Sequence, residues 1–226
     1  MQFFVISIII CYIFFLFYLY KLGKEDFVLI RKNVALEQLF NITFIATIVS
    51  FLVARLCYVL SHFNVTYLNP LKFFVLPYFP GLVFPALIVG GYLYIWYKRK
   101  LPSGRLIDFY ALALASIMPL LALCQLFLPG QQLIVQVVLA IIHFFIYLFF
   151  RFLLLPRVNR GEIKDGTLGL LFLAVICTTS FLQDAFTNTH GILFFLQLED
   201  IFYLLVLLII IVSLYPYEFR QTKKRK

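Results

Sequence analysis

The sequence predicts an all-α integral membrane protein of seven transmembrane helices, N-out and C-in. The composition and one pattern predict it. Hydrophobic residues make up 64% of the 226-residue chain, charged residues only 13%, and Phe alone occurs 28 times. Soluble domains are roughly 45–50% apolar and about 25% charged. A soluble domain of this composition lacks the polar side chains to cover its surface. The mean hydropathy of +1.01 excludes a soluble enzyme, a disordered chain and a secreted disulfide scaffold. The pattern is the distribution of basic residues, given below.

A spanning helix needs about 20 apolar residues. Seven segments meet or approach that length: 3–20, 35–60, 81–97, 106–128, 133–155, 168–186 and 201–215. They form one transmembrane domain over 1–226, with 216–226 as a basic cytoplasmic tail. The first segment lacks a positive leader and a small-residue cleavage site, so it reads as a span and not a signal peptide.

Basic residues fall in alternate connections. Lys21, Lys24, Arg31 and Lys32 follow span 1, and Lys98, Arg99, Lys100 and Arg105 follow span 3. Arg157, Arg160 and Lys164 follow span 5, and Arg220, Lys223, Lys224, Arg225 and Lys226 close the chain. The other connections hold only Lys72, and Arg55 and Arg151 lie within spans. The positive-inside rule then puts the N-terminus outside and the C-terminus inside. The formal charge of +9 is thereby read as orientation plus contact with anionic headgroups, and no nucleic-acid partner is expected.

Two outer connections carry apolar patches, Leu71–Leu76 within 61–80 and Ile192–Leu196. Either patch is read as lying along the interface, and the first also as a re-entrant lid. Asn64-Val65-Thr66 matches a glycosylation pattern on the outer side. Cys11, Cys57, Cys124 and Cys177 each sit in an apolar stretch and read as small buried hydrophobes. No metal site and no cofactor is expected.

Ionisable groups at membrane depth are costly, so each is a candidate for function. Arg55, in the outer half of span 2, reads as a cation for a lipid phosphate or as a structural pair. Tyr58 lies three residues on, along the same helix face, and reads as a ligand to the same lipid or as a belt tyrosine. His143 is central in span 5 and reads as an interhelical hydrogen-bond donor or as a base. Gln125, Gln136 and Asp184 are further polar groups of the outer half. His62 reads as interfacial. Glu199 and Asp200 read as caps of span 7. Asp108 reads as a cap or as the partner of Arg105.

Several segments together suggest a family. Ala54-Arg55-Leu56-Cys57-Tyr58-Val59-Leu60, followed by Asn69-Pro70-Leu71, resembles the A-R-L-x-Y-V…N-P-L stretch of bacterial prolipoprotein diacylglyceryl transferases. Gly81-Leu82-Val83-Phe84 with Gly90 is similar to that family's G-M-S-F-H-G-G segment. Arg105-Leu106-Ile107-Asp108 resembles its R-L-x-D entry to the next span. Gly166 through Asp184 is similar in spacing to the segment ending R-F-x-x-E. The resemblance runs over about residues 3–215.

The resemblance implies a protein of the bacterial inner membrane. It also implies transfer of diacylglycerol from phosphatidylglycerol to the lipobox cysteine of a prolipoprotein signal peptide. That chemistry needs a base or polarised thiol, and cations on the departing phosphate. Here the motif His is replaced by Pro85 and the two motif Arg residues by Ala122 and Ser180. Removal of one such cation costs a few kcal/mol in the transition state. The expectation is therefore a diverged member that binds an anionic phospholipid through Arg55, Tyr58, Gln125 and Asp184, with weak or no catalysis. Two alternatives stand beside it. One is an active transferase with relocated groups, His143 as base and Arg55 as phosphate cation. The other is a small transporter or a structural subunit of a membrane complex. The sequence leaves the oligomeric state open.

Overall fold

The computed structural model describes residues 2–61, 84–98, 101–127, 132–187 and 198–214. The patches Leu71–Leu76 and Ile192–Leu196, His62, Asn64 and the tail 216–226 lie outside them. The described residues form helices and no strand. In chain order they are α1 (Gln2–Lys24), α2 (Phe27–Arg31), α3 (Leu36–Ser61), α4 (Phe84–Tyr97) and α5 (Ser103–Cys124). A 3-10 turn, Gln125–Phe127, ends α5. There follow α6 (Leu133–Phe149), a π-helical segment (Phe150–Leu154), α7 (Leu155–Asn159), α8 (Thr167–Thr187) and α9 (Leu198–Leu214).

Among the described residues four stretches are long and apolar enough to cross a membrane: Ile6–Lys24, Leu36–Leu60, Ser103–Phe127 and Leu133–Asn159. Two further apolar helices, Thr167–Gln183 and Asp200–Leu214, are shorter. The surface is that of a chain solvated by hydrocarbon. Ile6, Ile9, Ile13, Phe14 and Phe17 of α1 are exposed, as are Leu205, Leu208, Ile209 and Val212 of α9.

The π segment has a local cause. Pro156 has no N–H, and its ring crowds the carbonyl four residues back. The chain responds with a wider turn in which Leu155 N–H donates to Phe150 O, five residues earlier. Residues 133–159 thereby continue as one helical stretch across the proline.

The chain divides into two compact units. The first comprises 1–42 and 99–169, and the second 43–98 and 170–226. In the first unit, α5 packs against both α1 and α6. Phe15 of α1 meets Tyr110 of α5 edge-on at 5.3 Å between ring centroids. At one end of these helices Phe3 stacks on Phe127 at 6.2 Å. At the other end Asp26, which caps α2 by accepting from Leu29 N–H at 2.9 Å, also receives Arg105. Glycine permits a close backbone approach there. A Cβ on Gly104 would stand 2.7 Å from the Asp165 carbonyl oxygen.

In the second unit, small residues bring two helices together. Ala46, Ser50 and Ala54 recur every fourth residue of α3, and each is fully buried. Gly90 of α4 lies against them, with a Cβ position 3.0 Å from Ser50 Cα and 3.0 Å from Val53 Cβ. Small-residue interfaces of this kind are how apolar helices associate when lipid supplies no hydrophobic drive.

Candidate functional site

Arg55 and Tyr58 form the candidate site, and α3 supplies both. The spacing of three puts them on one face of that helix. The Arg55 guanidinium carbon lies 5.5 Å from the centroid of the Tyr58 ring. Arg55 is 0% exposed, the largest side chain so deeply buried among the described residues. Guanidinium is the cation best suited to such a position. It is weakly hydrated, it stacks on aromatic faces and its fork matches an oxyanion with two parallel bonds. The Ala46, Ser50 and Ala54 stripe on the same helix fixes α3 against α4, so the arginine sits on a rigid element.

The other expected residues are distributed as follows. Asp184 belongs to the second unit with Arg55 and Tyr58, on helix α8. Gln125 belongs to the first unit, half-buried in the turn that ends α5. His143 is also in the first unit, buried on α6, with Nδ1 2.8 Å from the Leu139 carbonyl oxygen. The residues at the family's motif positions are buried Pro85 in the first turn of α4, buried Ala122 on α5 and half-buried Ser180 on α8. Among the described residues no group of three or more His, Cys, Asp or Glu side chains is placed to hold a metal ion.

One expectation is corrected by the geometry. The hydrogen-bonding partner of Arg105 is Asp26, not Asp108. Arg105 Nε stands 3.0 Å and Nη2 2.5 Å from Asp26 Oδ2, and Nη2 also donates to Asn159 Oδ1. Nη1 lies 3.6 Å from Asp165 Oδ1, and the guanidinium covers the Phe109 ring at 4.9 Å. Asp108 instead accepts from Gly166 N–H at 2.7 Å and Gly169 N–H at 2.8 Å. It thus caps the start of α8 from a separate helix, satisfying donors that α8 leaves open.

Sequence reasoning missed three pairs of the first unit. They are Asp26–Arg105, the thiols of Cys11 and Cys124 at 3.9 Å, and the hydroxyls of Tyr18 and Tyr147 at 2.9 Å. The only local signal was Asp26 placed before an apolar run, the mark of an N-cap. The partners lie 79, 113 and 129 residues away.

Among the described residues, fold and site define a helical protein with helices long and apolar enough to cross a membrane and a deeply buried arginine. No known protein family, curated protein or solved structure matches the chain.

Proposed function

We propose that the chain is a multi-span protein of the bacterial inner membrane that holds an anionic phospholipid of the phosphatidylglycerol type. In this reading its helices follow the diacylglyceryl transferase plan, and its transfer chemistry is weak or lost. The observation that carries it is Arg55, a cation fully buried in a long apolar helix. A charge at that depth is retained at a cost, and such residues mark binding sites and pathways. A phosphodiester is the lipid group that a guanidinium matches best. Tyr58, beneath the guanidinium, adds a hydroxyl to the same headgroup.

The alternating topology has support within the first unit. The N-terminal end of α1 meets the C-terminal end of α5 through Phe3 and Phe127. The C-terminal end of α1 meets the N-terminal end of α5 through Asp26 and Arg105, where Asn159 also arrives. Such pairing is what opposite spans give. The seven-span, N-out and C-in arrangement extends this to the whole chain, on the distribution of its basic residues.

The test has two arms. Purified protein is mixed with phosphatidylglycerol and a lipobox peptide beside an active transferase, and the peptide mass is read. The lipid that remains bound through purification is quantified in parallel. Retained phosphatidylglycerol with no diacylglyceryl mass gain is the expected result. A mass gain lost in Arg55→Ala identifies a working transferase instead. Absence of both lipid and product removes the reading.

A further inference from the structure

The buried face of α6 is polar in an otherwise apolar helix. Gln136, Ala140 and His143 are its buried residues. Tyr147 follows at the next turn and Arg151 at the one after, so the stripe recurs at steps of four, three, four and four. At 1.5 Å per residue, Gln136 to Arg151 covers about 22 Å of helix length. The Tyr147 hydroxyl donates to the Tyr18 hydroxyl of α1 at 2.9 Å, and Arg151 and Glu25 both lie within electrostatic reach of Tyr18. The π-helical segment, Phe150–Leu154, takes in Arg151 at the end of this stretch. Wide turns of that kind recur at functional sites.

His143 is the member of this seam with an open valence. Its Nδ1 is 2.8 Å from the Leu139 carbonyl oxygen. A carbonyl only accepts, so Nδ1 carries the proton, and Nε2 of the neutral ring is an acceptor. The residue is 7% exposed, and no protein group among the described residues hydrogen-bonds to Nε2. Buried polar atoms rarely stand unsatisfied, because burial removes their hydration with nothing in return.

We propose that His143 Nε2 is a ligand-binding acceptor that takes a neutral hydroxyl group, from water or from a lipid-borne alcohol or quinol. The surroundings select the class. Along the described lengths of α1, α5 and α6 the one carboxylate is Asp108, which Gly166 and Gly169 already occupy. An ammonium donor would find no free carboxylate on these three helices, and a fully ionised anion has no proton to give. A neutral O–H meets the nitrogen at the lowest desolvation cost. This site is in the first unit and stands independently of the lipid reading of Arg55.

The test reads the nitrogen directly. The full chain is labelled with nitrogen-15 histidine in lipid nanodiscs, and His143 is assigned by the signal that His143→Gln removes. The expected spectrum shows an unprotonated Nε2 whose shift is displaced from the free-imine value toward the hydrogen-bonded one. Transfer to lipid-free detergent separates the sources. A displacement that persists there, with a deuterium isotope shift in heavy water, assigns the donor to water. A displacement that disappears assigns it to a lipid-borne hydroxyl. A protonated Nε2, or a free-imine shift in nanodiscs, overturns the proposal. The measurement is made on the native chain, so it does not depend on a variant folding.

Discussion

Arg105 and Asp26 form a buried ion pair across 79 residues, Nε to Oδ2 at 3.0 Å, both side chains at most 5% exposed. Asp26 also caps α2, so one carboxylate joins the end of α1, the start of α2 and the start of α5. Removal of one partner of such a pair leaves the other charge buried and uncompensated, at about 3–5 kcal/mol. Arg105→Met is expected to lower stability by that order, measured as denaturant or thermal unfolding in detergent. Combining it with Asp26→Asn is expected to cost less than the sum of the two single changes. Strict additivity would mean that the pair carries no coupling.

Asp108 is expected to act as a cap in trans. Asp108→Ala withdraws the acceptor for Gly166 N–H and Gly169 N–H. Loss of an N-cap costs about 0.5–2 kcal/mol, and burial of both donors places this one at the upper end. Hydrogen exchange should show the first turn of α8 opening while the middle of α5 stays protected. Unchanged exchange at residues 166–169 would refute the assignment.

The packing of α1 on α5 is open to chemical test. The Cys11 and Cys124 sulfurs are 3.9 Å apart, whereas a disulfide needs about 2.05 Å, so a small approach suffices. Oxidation by copper phenanthroline in detergent is expected to give an intramolecular bond between residues 11 and 124. Peptide mass spectrometry reads it. Failure of residues 11 and 124 to cross-link, in a monomer that remains folded, would contradict this packing.

The apolar runs made most helix positions legible, because hydrocarbon solvation demands continuous apolar length. Helix α5 begins at Ser103, three residues before the expected start at Leu106. Gly104 and Arg105 look like loop residues in sequence. They are helical because Gly104 lets the Asp165 backbone approach and Asp26 neutralises the guanidinium. The expected span 133–155 held the π segment unseen, since Pro156 lay just beyond its end. In the candidate site, the step from Arg55 to Tyr58 could be read from helix periodicity alone. The open Nε2 of His143 could not, because it depends on a ring orientation set by the Leu139 carbonyl.

The central claim is that Arg55 holds an anionic lipid. The most direct measurement is the amount of phosphatidylglycerol retained per protein after exhaustive detergent washing, in the native chain, Arg55→Lys and Arg55→Gln. A hydrogen bond to a charged group contributes about 1.5–3 kcal/mol, so the account predicts roughly tenfold or greater loss of lipid affinity in Arg55→Gln. Arg55→Lys should fall between, because an ammonium keeps the charge and loses the paired geometry. Equal retention in all three proteins, each folded by circular dichroism, would contradict the account.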